Sequence, residues 1–209
     1  MKLTRVVVPV LLLACAALSS DKTIPAAQPA AAYPAHEYHS NEKVTIAIDP
    51  YDNEAKASVF KVKYKNYSVL PVRLIISNDG EAPLMLDNMK IELITADKDK
   101  LQPAVIDDIL RKLARPEKAA SRSPLPIPLP RDRSPINRDA RQEIETLMFV
   151  NVPVTPHSTN SGFLFFDVAG IENPETQAHL FISGIRAGDQ ELFYFDIPLE
   201  SYLSQPPQK

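Results

Sequence analysis

The sequence predicts a mainly β protein: an antiparallel β-sandwich with an inserted helix and a proline-rich loop. Three observations lead there. From Val44 onward, apolar residues recur at every second position in short runs. Turn-forming stretches separate those runs, among them Asn78-Asp79-Gly80 and Arg186-Ala187-Gly188-Asp189-Gln190. One interruption, at about 103–148, abandons the period of two for helical spacing and alternating prolines.

The elements follow in order. Val44, Ile46 and Ile48 share one face of a first strand. Phe60, Val62 and Tyr64 point inward from a second, with Lys61, Lys63 and Lys65 toward water. A third sends Leu70, Val72, Leu74 and Ile76 inward and ends at Asn78-Asp79-Gly80, residues that tolerate positive φ. Met89, Ile91 and Leu93 then alternate with Lys90 and Glu92. After the interruption come strands within 162–168, 179–185 and 191–199. Their alternation buries Leu164, Phe166, Phe193 and Phe195, with Phe166 on a central strand. It leaves Phe163 and Phe165 facing outward, where the inserted helix is expected to cover them.

The interruption begins with Val105, Ile106, Ile109, Leu110 and Leu113 on one helical stripe, opened by Pro103 and stopped by Pro116. Asp107 and Asp108 lie early in this helix and Arg111, Lys112 and Arg115 late, as the helix dipole favours. A second helix is expected over 137–149. Between them Pro124, Pro126, Pro128 and Pro130 favour an extended backbone. Residues 111–141 hold nine Lys/Arg and three Asp/Glu, a local excess of six positive charges in a chain whose net charge is −3. Two readings stand side by side. In one, Arg122, Leu125, Ile127, Leu129, Arg131 and Arg133 form an arm for an anionic envelope component or a protein partner. In the other, the segment is a solvated loop paired with the acidic remainder.

At the start of the chain, Lys2 and Arg5 precede the apolar run Val6 to Leu13. That run is well short of the ~20 residues a spanning helix needs, so it reads as an export signal. Two cleavage patterns are present. Small residues at Ala14, Ala16 and Ala17 suit an ordinary signal peptidase. Leu12-Leu13-Ala14-Cys15 resembles the lipobox of bacterial lipoproteins. That resemblance implies removal of residues 1–14 and acylation of Cys15, the only cysteine. Ala16, rather than Asp, after the cysteine resembles the pattern of outer-membrane sorting, which implies a domain facing the periplasm. Residues 15–41, rich in Ala and Pro, are expected to be a disordered tether. The folded domain is expected over 42–203, with a short tail at 204–209. Within it, the strand-turn-strand unit of residues 72–86 resembles the immunoglobulin-like sandwiches of bacterial envelope proteins. That is a likeness of fold, and fold does not fix function.

Other chemistries find little support. A single cysteine excludes an intramolecular disulfide, and a pI near 5.8 argues against nucleic acid as a partner. His36-Glu37-Tyr38-His39 has the start of a metal site without further ligands nearby, and Met85 and Met89 are as readily core residues. There is no G-x-S-x-G motif; His157-Ser158 are neighbours in sequence only, and Asp107-Asp108 belong to a helix start. The five glycines form no phosphate loop. The expectation is therefore a membrane-anchored, non-enzymatic envelope lipoprotein without a cofactor, acting as a binding or assembly module. The alternative is a periplasmic β-sandwich that binds a metal or a small ligand.

Overall fold

Side chains that alternate along an extended chain can bury one face of a sheet only if a second layer meets it. The computed structural model, which describes residues 24–114 and 135–203, supplies that layer. One antiparallel sheet has the order β1 (Ala35–His39), β2 (Val44–Pro50), β3 (Val69–Asn78), β7 (Ser158–Asp167). A second has the order β11 (Phe195–Pro198), β8 (His179–Ser183), β5 (Lys90–Ile94), β6 (Lys100–Leu101). A small third sheet joins β4 (Leu84–Met85), β9 (Arg186–Ala187) and β10 (Gln190–Glu191). Short helices complete the described chain: α1 (Glu54–Ala57), α2 (Ile106–Leu113), α3 (Pro135–Leu147) and α4 (Glu200–Leu203). The protein is mainly β, with antiparallel sheets, as the alternation predicts.

The main core lies between the two four-stranded sheets. Val44, Ile46 and Ile48 from β2, Leu70, Val72, Leu74 and Ile76 from β3, and Leu164 and Phe166 from β7 meet Leu93, Leu180, Ile182, Phe195 and Ile197 from the other sheet. Pro71 sits in β3 without breaking the ladder to β7. Its carbonyl accepts from Tyr51 N–H on the side where β2 has already ended at Pro50, so its missing N–H leaves no strand unpaired.

A second core lies on the opposite face of β7. Phe163 and Phe165 are buried there against Ile109, Leu110 and Leu113 of α2 and Ala140 and Ile144 of α3. The outward-facing phenylalanines are thus covered by the inserted helices, as expected. Phe166, also fully buried, points the other way. β7 is not a central strand, however: it ends its sheet. Its outer edge is closed by backbone instead, with Ala104 N–H donating to Phe165 O (2.7 Å) and Phe149 N–H to Phe163 O (2.9 Å). That close approach requires Gly162, since a Cβ there would lie 2.4 Å from Phe149 Cα.

Four further expectations are corrected. Residues 59–65 keep their alternation, with Phe60, Val62 and Tyr64 buried and the three lysines exposed. Yet they form no strand, because the Lys61 and Val62 N–H groups donate to the Glu143 carboxylate rather than to a neighbouring strand. Phe193 is 73% exposed. The strand breaks between β10 and β11, so the buried positions are Leu192 and Phe195, three apart rather than two. Val105 precedes α2 at its N-cap in extended conformation and is 62% exposed, so it is not on the helical stripe. The tether is shorter than read: residues from Ala30 onward are folded, and Ala35–His39 pair with β2. Ala30 is fully buried, and its N–H donates to Ser77 Oγ. A smaller difference concerns the turn after β3. Gly80 does not have positive φ; the Asn78 side chain makes the turn, accepting from Gly80 N–H and donating to Ala82 O.

Candidate binding surfaces

Sequence reasoning places the anchor at Cys15 and a partner-binding arm at Arg122, Leu125, Ile127, Leu129, Arg131 and Arg133. All seven lie outside the described residues. The described residues offer three other surfaces, each a consequence of how the sheets end.

The first is a cleft of about 860 Å³. It opens because β6 is two residues long and pairs with β5 only at Leu93 and Ile94. Lys90, Ile91 and Glu92 therefore have β8 on one side and the cleft on the other. Pro103, two residues past the end of β6, lacks the N–H that a longer edge strand would use there. Met89, Ile91, Val105, Ile106, Phe149 and Phe181 give the cleft an apolar lining. Its charges are mostly neutralised within the protein: Arg141 pairs with Asp107 at 2.8 Å, and Glu92 accepts from Lys100 at 3.0 Å. The Arg141 guanidinium, exposed at the rim, is held further toward its charged form by its hydrogen bonds to Asp107 and Glu145.

The second surface adjoins the cleft. Phe181 stacks on Tyr194 with ring centroids 5.1 Å apart, and Phe193 and Tyr194 are both exposed. These rings extend the apolar surface of the cleft beyond Phe181, which lines it. The alternation rule missed Phe193 because it assumed unbroken strand. The break falls at residues 192–194, past the β9–β10 hairpin, whose pairing Leu192 N–H still extends to Ile185 O.

The third is the layer built on the second core. Lys61, Lys63 and Lys65 project outward from it. Beneath them Glu143 is turned inward: its two carboxylate oxygens accept from Lys61 N–H, Val62 N–H and the Tyr64 hydroxyl. Burial, with Glu143 beside it, pushes the Tyr64 hydroxyl well above the usual tyrosine range, so it stays a donor. Nearby, Asp49 lies buried on the outer face of the first sheet. Burial raises its pKa, and Lys56 and Arg73 only partly offset that.

Among the described residues each of the four histidines lies against a neighbouring polar group. His39 lies 3.1 Å from Glu37 and stacks on Phe195. His179 Nδ1 lies 2.6 Å from Asp196 Oδ1, and Glu37 accepts from the Asp196 N–H. These contacts join β1 to β11 across the end of the core. Among the described residues no group of three or more His, Cys, Asp or Glu converges as metal ligands would. His157 approaches Glu81, whereas the Ser158 hydroxyl donates to Thr155 O, so this neighbouring pair does not act together. Asp107 and Asp108 are engaged with Arg141 and Arg111 at the start of α2. Among the described residues no helix is long and apolar enough to cross a membrane. Comparisons of the chain with protein-family models, curated proteins and solved structures give no match.

Proposed function

We propose that this chain is a lipid-anchored, non-enzymatic protein of the bacterial envelope, acting as a binding or assembly module through the cleft and the aromatic surface beside it. The observation that carries the reading is the cleft itself. It is apolar and open, and Glu92, Asp107 and Arg141 of its lining are already held in ion pairs within the protein. Such a site holds a partner by burying surface rather than by transforming it. Anchoring rests on the lipobox-like Leu12-Leu13-Ala14-Cys15, and two or more acyl chains on Cys15 would hold the protein stably. The basic arm with Arg122, Arg131 and Arg133 adds a salt-dependent contact to an anionic envelope component, its apolar Leu125, Ile127 and Leu129 lying between them in the sequence.

An immunoglobulin-like sandwich is the fold that we assign to this module. Supporting it, β2-β3-β7 faces β11-β8-β5-β6, which parallels the A-B-E and G-F-C-C′ orders of immunoglobulin domains. The helical insertion then stands where strand D would close the first sheet. A second reading, a site for a small apolar ligand, is favoured by the volume of the cleft, since such sites run to roughly 300–1,000 Å³.

Site-directed photocrosslinking in the native envelope tests both. A photoreactive residue replacing Val105 at the cleft lip is compared with one replacing Asp97, in the turn after β5. An assembly module gives a discrete protein adduct from position 105 alone. A small ligand gives a small added mass there instead. The same adducts from both positions would contradict a role for the cleft.

A further inference from the structure

We infer that the face bearing Lys61, Lys63 and Lys65 is the side of the domain that docks on an anionic lipid surface. The inference rests on the proposed Cys15 anchor and specifies how the anchored domain is oriented.

Two observations meet on this face. The first is charge. Residues 55–67 contain four lysines and no acid. Lys56 pairs with Asp49, but neither Lys61 nor Lys63 forms an ion pair with a described residue, and Lys65 donates to the Asp52 carbonyl rather than to a carboxylate. Of the acids around them, Glu143 is occupied by two backbone N–H groups and the Tyr64 hydroxyl. Glu175 lies within electrostatic range of Lys65, which leaves Lys61 and Lys63 as the uncompensated charges. Because Phe60, Val62 and Tyr64 alternate with the lysines and are buried, the three ammonium groups are all directed away from the same core.

The second observation is where the chain enters. Ile24, the first described residue, packs against that same core, and Pro25 O accepts from Arg73. Eight residues lie between Cys15 and Ile24, a reach of at most ~30 Å. A tether running to residue 41 would have allowed nearly three times that distance, and hence any orientation. The real one delivers the anchor to the lysine side of the molecule. The other four-stranded sheet, with the aromatic surface, lies across the main core from it. The cleft partner thus approaches a module whose basic side is occupied by membrane.

Near an anionic leaflet each lysine contributes about 1 kcal/mol, or roughly fivefold, so Lys61 and Lys63 together favour this orientation about 25-fold. The test uses the full native chain purified from its host and mixed with vesicles of phosphatidylcholine alone or of phosphatidylcholine and phosphatidylglycerol in equal parts. Flotation is read first. A chain that floats with both vesicles is anchored, and amine acylation mapped by mass then decides the orientation. We expect Lys61, Lys63 and Lys65 to react more slowly than Lys90 and Lys98, in the phosphatidylglycerol vesicles only, with high salt abolishing the difference. Equal rates in an anchored chain overturn the docking face and leave the anchor standing. Flotation with phosphatidylglycerol vesicles alone, lost in Lys61→Glu/Lys63→Glu/Lys65→Glu, supports the docking face while refuting the anchor. If that variant floats like the parent, the docking face is refuted too. Flotation with neither vesicle refutes both.

Discussion

Replacing Phe165 by alanine asks whether the inserted helices are part of the fold or an appendage. The ring is fully buried, 5.1 Å from Tyr64 by centroids, in the core shared with Ile109, Leu113 and Ile144. Its backbone also receives Ala104 N–H, which fixes the chain just before α2. Truncation removes a whole buried ring whose neighbours come from β7, α2, α3 and the lysine-bearing segment, so the cavity cannot collapse from one side. A loss of about 3–5 kcal/mol is expected, a large share of the 5–15 kcal/mol that holds a typical domain. Urea unfolding followed by circular dichroism measures it as a lowered midpoint with an unchanged slope. A midpoint equal to that of the parent would mean that the outer face of β7 is open to solvent, and the second core would have to be abandoned. A lowered slope as well would show the helical layer unfolding separately from the sheets.

Other expectations follow from the same packing. Gly162→Ala pushes a methyl group into the Phe149 backbone, which cannot yield like a flexible side chain; a loss of about 1–3 kcal/mol, seen as a lower melting temperature, is expected. Asp49 has a native pKa above its usual 3.8, mainly through burial. Between that value and its raised one the folded chain holds a proton that the unfolded chain has lost, so this residue's contribution to stability falls as pH rises through the window. Asp49→Asn should remove that slope in unfolding measured across a pH series. Phe193→Ser, at an exposed position, should change stability by no more than about 0.5 kcal/mol; a loss of several kcal/mol would restore the unbroken alternation of residues 191–199.

Alternation was the most legible property of the chain, since burial on one face of a strand leaves a period of two wherever the sheet is continuous. It located the core positions of β2, β3 and β7, and even those of residues 59–65, where no strand exists. There the same period serves a chain segment lying over a core, its N–H groups taken by Glu143. A period reports what is buried, not which group accepts the hydrogen bond. Alternation failed at Phe193 because the chain passes there from one sheet to another, from β10 to β11. The edge position of β7 and the fold of residues 30–39 were illegible for another reason. Both depend on contacts between distant parts of the chain, Ala104 with Phe165 and Ala30 with Ser77, which no local pattern records. The cleft was illegible likewise, being defined by where β6 stops.

The proposed anchoring and orientation both start from Cys15, so its chemical state is the most direct test. Intact mass of the mature protein, isolated from its host membrane with detergent, should fit a chain beginning at Cys15 with a diacylglycerol thioether and an added acyl group. A chain beginning at Ala16 or later, or one with Cys15 unmodified, would contradict the account.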